Sequence, residues 1–102
     1  MHIISDDSAL LLVAEVNAQI IGYCLGFIHF TFYANGQVAW LEEIMVDELY
    51  RRKGVGKMLM DEFEKWSKLK DSRLIALATR RAADFYSAMK YEKSAEYFRK
   101  IL

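Results

Sequence analysis

The sequence predicts an α+β fold on a mixed β-sheet, in a single domain covering residues 1–102. Three observations predict it. Residues 10–46 are β-branched and aromatic runs separated by turn signals; residues 55–70 carry apolar side chains at a helical period; a short apolar run, 73–79, follows that helix. Strands joined by tight turns pair antiparallel, whereas a strand–helix–strand crossover makes a parallel pair, so the sheet must contain both.

Each element has its own reason. The apolar run at 10–16 reads as a strand, and Asn17-Ala18-Gln19 turns the chain into a long strand over 20–33. Ala34-Asn35-Gly36-Gln37 contains Asn-Gly, the strongest short hairpin signal, and 38–46 is the return strand. Val55, Met58, Leu59, Phe63, Trp66 and Leu69 recur at three and four residues, which makes an amphipathic helix to about Lys70 with Met58, Phe63 and Trp66 in the core. Lys65, Lys68 and Lys70 read as its solvated face. Residues 73–79 form the next strand, 81–89 a shorter helix, and 91–102 one or two terminal strands. The order is an antiparallel meander followed by β-α-β-α-β.

Composition excludes several function classes. With 54% hydrophobic and 27% charged residues the chain is globular and not disordered. Fourteen basic and fourteen acidic residues cancel, whereas a phosphate-tracking surface shows as a basic domain, so no nucleic-acid partner is expected. Cys24 is the sole cysteine, so no intramolecular disulfide and no Cys-rich zinc site can form; with His2 and His29 the only histidines, a metal site would have to rely on carboxylates. Cys24 and His29 lie in apolar strand sequence and are expected to pack in the sheet. No run of 18 apolar residues and no basic, apolar leader begins the chain, so it reads as cytoplasmic, soluble and without a membrane partner.

The segment Arg51-Arg52-Lys53-Gly54-Val55-Gly56-Lys57 lies where the long helix opens. Gly54 and Gly56 lack a Cβ, so the backbone there can take unusual φ/ψ values and approach a ligand closely. The unpaired N–H groups of a first helical turn, with the helix dipole, favour an anion, and Arg51, Arg52, Lys53 and Lys57 add charge-assisted contacts. The spacing is not that of a Walker A loop, and Leu59 stands where a dinucleotide fingerprint needs its third glycine. A helix start that binds nothing would not be expected to place Lys57 against the dipole.

Arg51, Gly54 and Gly56 form Arg-x-x-Gly-x-Gly after Leu41-Glu42-Glu43-Ile44-Met45-Val46-Asp47, and this pairing resembles the coenzyme A signature of the GNAT superfamily of N-acetyltransferases. Ala82-Ala83-Asp84-Phe85-Tyr86-Ser87-Ala88-Met89-Lys90-Tyr91 is similar to that family's C-terminal Ala-x-x-Phe-Tyr-x-x-x-Gly-Phe segment. The resemblance covers residues 10–102 and implies an acetyl-CoA-dependent N-acetyltransferase with acetyl-CoA as co-substrate, a small-molecule or peptide amine as acceptor, and no metal. The strand from Glu42 would splay at a bulge and open a V-shaped cleft, with Ile44, Met45 and Val46 pairing with the pantetheine arm. Arg51, Arg52, Lys53, Gly54, Val55, Gly56 and Lys57 would hold the pyrophosphate, and Thr79 would contact pantetheine. Tyr86 would sit near the thioester sulfur and protonate the departing thiolate. Glu42 matches a catalytic base of some relatives; Glu43, on the other side of an ideal strand, and a water chain are the alternatives.

The chain also departs from the family pattern. Lys90 replaces the usual Gly, so the turn after the last helix is expected to form without a free left-handed residue, and Arg52 replaces a frequent Gly. The usual first strand and two N-terminal helices have no counterpart in the sequence reading. An apolar sheet face would then be uncovered, which implies a homodimer. A non-catalytic acyl-CoA-binding or dimerisation module is the alternative function, and a binder of another phosphate ligand, such as a nucleotide, is a third.

Overall fold

The computed structural model describes residues 2–102, the first of them by its backbone alone. Five strands form one sheet in the order β1-β2-β3-β4-β5: β1 His2–Ser5, β2 Ala9–Val16, β3 Gln19–Thr31, β4 Gly36–Val46 and β5 Ser72–Leu77. The first four pair antiparallel, and β5 pairs parallel with β4, as a crossover requires. The crossover is α1, Val55–Leu69, and α2 is Ala83–Ala88. No helix precedes β4 among the described residues, and none is long and apolar enough to cross a membrane.

The strand β1 is absent from the sequence reading, which begins its first strand at residue 10. Its connection to β2 is a tight turn in which Asp6 Oδ1 accepts from the N–H groups of Ser8 and Ala9, each at 2.8 Å. Two other turns place non-glycine residues in the left-handed region. Val16 pairs with Gln19, so Asn17 and Ala18 form a two-residue loop with φ of 50° and 62°, the I′ geometry that matches strand twist. At the other hairpin Thr31 pairs with Gly36, which makes a four-residue loop. There Asn35 takes φ 51°, and its N–H donates to Phe32 O at 3.0 Å. The Asn-Gly signal marks the right hairpin, but Gly36 already belongs to β4.

Alternation divides the sheet into two unlike faces. Leu10, Leu12, Ala14, Ile21, Cys24, Ala39 and Leu41 point to one face and pack against Leu59, Met60 and Phe63 of α1. The buried stripe of the helix is Leu59, Met60, Phe63 and Ser67, with Val55 and Trp66 beside it. Met58 and Leu69, expected on that stripe, are 51% and 82% exposed; the stripe is rotated by about half a turn from one running through them. Gly26 sets how closely α1 can lie. A Cβ there would fall 2.2 Å from Phe63 Cε1, so any side chain would force the buried Phe63 ring to move. Lys65 pairs with Glu62, and Lys68 is exposed, in keeping with a solvated helix face.

The terminal strands expected over 91–102 do not form. These residues add no rung to the sheet, and Tyr97, Phe98, Ile101 and Leu102 are exposed. Their apolar side chains suggested strands, but a strand needs a partner edge, and the segment lies along none. Just before it, α2 ends in a Schellman motif: Tyr91 N–H donates to Tyr86 O and Lys90 N–H to Ser87 O, both at 3.0 Å. Lys90 takes φ 71°, so the left-handed turn is present after all, made by a lysine where glycine would be free of strain. We expect Lys90→Gly to stabilise the fold by about 0.5–1 kcal/mol in urea denaturation.

Candidate active site

Strand β4 is paired along its length with β3, but β5 accompanies it only over residues 37–41. Where β5 stops, the β3–β4 register shifts: Leu25 opposes Glu43 and Gly26 opposes Leu41, which leaves Glu42 as an extra residue. A bulge bends its strand and increases the local twist, and it stands where the cleft was expected to open. Among the described residues no strand lies along the outer edge of residues 42–46. The backbone groups of that edge can therefore pair with an extended ligand as a sheet pairs with an added strand.

The same strand leads directly into the basic turn. Asp47 N–H donates to Ile21 O at 2.7 Å, which fixes the end of β4, and Asp47 Oδ1 caps a short 3-10 turn, Glu48–Tyr50, by accepting from Leu49 N–H at 2.9 Å. Arg52 takes φ 63° and Gly54 φ 83°. Gly54 is the N-cap of α1 and has no side chain to cap it. The first helical bond is Met58 N–H to Gly54 O at 3.0 Å, so the N–H groups of Val55, Gly56 and Lys57 precede the ladder and are orphan donors. No acidic residue lies in this turn. Donors, dipole and unbalanced positive charge converge there, which is the chemistry a pyrophosphate needs.

The two glycines play different parts. Gly56 is helical, contrary to the expectation of unusual φ/ψ, and a Cβ on it would meet Phe85 Cζ at an ordinary 3.4 Å. Only Gly54 needs the left-handed conformation. The basic side chains are also partly engaged. Arg51 Nε donates to Val46 O at 3.0 Å and ties the turn to the cleft strand; Lys57 pairs with Asp61 at 2.9 Å; Lys53 Nζ lies 5.7 Å from the centre of the Tyr50 ring. The exposed Lys57–Asp61 pair is weak and can be exchanged for a phosphate.

Tyr86, on α2, is 6% exposed and packs against Phe85 and Tyr91 at centroid distances of 5.0 and 5.7 Å. Burial, with a lesser contribution from neighbouring Cys24, raises its pKa, so the phenol keeps its proton. Cys24 pairs with Ile44 across β3 and β4, and Tyr86 lies in the same core cluster as Cys24, with Ile44 packed against it. None of the described residues hydrogen-bonds its hydroxyl. Thr79 lies between β5 and α2, exposed, and its Oγ1 accepts from Ala82 N–H at 3.1 Å, so the side chain expected to touch a ligand is also a helix-start contact.

Cys24 is fully buried, as expected, and burial pushes its thiol up to about 12. Two outcomes follow. A thiol reagent at pH 8 should label Cys24 only as fast as the protein opens, which stopped-flow labelling against urea would show. The unfolded thiol ionises near pH 8.5–9 while the folded one keeps its proton, so stability contributed by this group falls as pH rises from there towards 12. Tyr86 and Tyr91, both raised, act in the same direction above pH 10.

Glu42 and Glu43 were expected on opposite sides of the strand, but the bulge puts both on the face away from α1. Glu42 accepts from Trp40 Nε1 at 2.7 Å, and Glu43 accepts from Tyr23 OH at 2.9 Å. Trp40 and Tyr23 alternate with the buried Ala39, Leu41 and Cys24, which fixes the face they share. His29 lies on that face too and is exposed, where a packed position was expected. Sequence reasoning missed Trp40 and Tyr23 as partners of the glutamates. Period-2 alternation from Trp40 to Glu42 was the available signal; the register that brings Tyr23 to Glu43 was not.

Three comparisons bear on this geometry. The profile described as Acetyltransferase (GNAT) domain matches residues 7–93. No curated protein matches the chain. Among solved structures, glucosamine-6-phosphate N-acetyltransferase from Arabidopsis thaliana superposes with a TM-score of 0.86 at 20% identity, over 93% of this chain and 67% of that one. A transcriptional regulator from Bacillus halodurans C-125 gives 0.88 at 22%, over 95% and 68%. AAC(6')-Iy, solved with the bisubstrate analog CoA-S-monomethyl-acetylneamine, gives 0.77 at 23%, over 95% and 72%. The chain thus spans about two thirds of the length of the first two structures. At these identities the superpositions speak for the fold, and the profile match over most of the chain speaks for ancestry: the chain belongs to the GNAT acetyltransferase family.

Proposed function

We propose that this chain is an acetyl-CoA-dependent N-acetyltransferase that passes an acetyl group to a primary amine by direct attack in a ternary complex. One observation carries the proposal. The unaccompanied edge of β4 and the orphan N–H groups of α1 are ends of one continuous path, residues 42–57, so an extended arm on the strand delivers its pyrophosphate to the helix start. A nucleotide site would need only the helix start; the strand edge favours an acyl-pantetheine.

The residues divide the chemistry between them. An amine with a pKa near 10.4 is protonated in neutral water, and Glu42, directly or through water, takes a proton so that the nitrogen lone pair is free. That pair forms a bond to the thioester carbonyl carbon, and the carbonyl oxygen becomes an oxyanion facing an N–H of Ile44 or Met45. The C–S bond then breaks with its electron pair on sulfur. The phenol of Tyr86, protonated because it is buried, donates a hydrogen bond to that thiolate. The second proton lost by nitrogen ends on sulfur, so amide and thiol are the products.

Release of free thiol from acetyl-CoA across a panel of primary amines tests the proposal, and amine-dependent release is the expected result. Coenzyme A binding without turnover on any amine would replace it with the non-catalytic acyl-CoA-binding or dimerisation module. The observation favouring that second reading is the sheet face opposite α1, which no helix covers among the described residues. We further propose a homodimer that buries the β1–β2 side of this face, where Ile4, 66% exposed, pairs with Leu11. Sedimentation velocity would show a dimer, and a monomer at all concentrations would refute it.

A further inference from the structure

On the face opposite α1, Leu25, Phe27, His29, Trp40 and Glu42 line a shallow groove of about 660 Å³ that ends at the bulge. Its walls are the Leu25 side chain and the rings of Phe27, His29 and Trp40, with Phe27 and His29 tilted against each other at 6.5 Å. At the bulge end stand the two carboxylates of Glu42 and Glu43. The indole of Trp40 and the phenol of Tyr23 hold them, so neutral donors orient both and neither is bound to a Lys or Arg among the described residues. Formal charge at that end is therefore about −2, next to the strand edge where the acetyl group would be presented.

We infer that the acceptor is a primary amine carried on a flat apolar body, an arylalkylamine-type substrate, and that Trp40 is its specificity-determining residue. The inference rests on the transferase reading of the same site. An ammonium group matches the two carboxylates, and a short alkyl link lets an aromatic body lie along Phe27 and Trp40, where ring–ring contact favours it. An amino sugar fits the groove poorly. Each hydroxyl that leaves water needs a partner; the Leu25, Phe27 and Trp40 walls offer none once the indole N–H is committed to Glu42, which leaves only His29 and the carboxylate end to serve a many-hydroxyl ligand. Trp40 thus has two tasks, a ring wall for the body and an N–H that aims the Glu42 carboxylate.

Calorimetric titration of the full chain, saturated with coenzyme A, against 2-phenylethylamine and glucosamine separates these claims. Expected is binding of 2-phenylethylamine at least tenfold tighter than glucosamine, with the difference lost in Trp40→Ala. Trp40→Phe keeps the wall and removes the indole N–H, so it should keep the preference in binding while lowering kcat. Equal or tighter binding of glucosamine, or an unchanged preference in Trp40→Ala of native circular dichroism, would overturn the inference. Selective binding with no thiol release on any amine would leave the acceptor class standing and overturn the transferase reading. Turnover that favours glucosamine would do the reverse.

Discussion

Gly54→Val is expected to raise the Kd for acetyl-CoA about tenfold or more while leaving the fold nearly as stable. Gly54 holds φ 83° at the N-cap of α1, and a Cβ built there meets nothing within 4 Å, so the cost of a side chain is conformational and not a clash. A left-handed conformation costs an ordinary residue roughly 1–2 kcal/mol, and a β-branched residue more. The free protein can escape by relaxing the turn, which swings the N–H groups of Val55, Gly56 and Lys57 away from a common point. Binding must then restore the strained turn, and 1–2 kcal/mol corresponds to a factor of about 5–30 in affinity. Gly54→Asn is the discriminating companion, since Asn tolerates this region and should keep most of the affinity. Equal affinities for Gly, Asn and Val at this position would show that the turn does not hold the ligand.

Tyr86→Phe is expected to lower kcat by about a hundredfold or more, with little change in stability or in the Kd for coenzyme A. The hydroxyl is the only group removed, and no described residue bonds to it, so the folded state loses no partner. On the proposed mechanism the variant lacks the donor to the sulfur as negative charge develops there. Since burial raises this phenol, the alkaline limb of a kcat profile should not fall at the ordinary tyrosine value but above it. A Phe variant with unchanged kcat would make Tyr86 a core residue beside Phe85 and Tyr91, with the thiolate served from elsewhere.

Much of the molecule was legible in the sequence because local pattern and global fold agree over residues 9–89. The alternation of β2 to β4 reports a sheet buried on one side, and the switch to helical period at Val55 lands on the observed start of α1. Gly54, Val55 and Gly56 sit where a helix start needs them. Other features depend on pairing that no local window contains. The bulge at Glu42 exists only in the β3–β4 register, and it alone decides that Glu42 and Glu43 share a face. Gly26 looks like an ordinary strand glycine until Phe63 is found against it. The left-handed turns at Ala18, Arg52 and Lys90 go against residue preference, so preference could not reveal them. The 91–102 segment has strand composition but no partner edge, and composition cannot report that.

Parallel calorimetric titrations with coenzyme A and with ATP test the central claim most directly. Both ligands bring phosphates to the helix start, but only coenzyme A carries an arm that can pair with the unaccompanied edge of residues 42–46. The site described here predicts a Kd on the order of micromolar for coenzyme A, near −8 kcal/mol, with ATP binding at least about a hundredfold more weakly. ATP binding as tightly as coenzyme A, or no binding of coenzyme A at all, would contradict it.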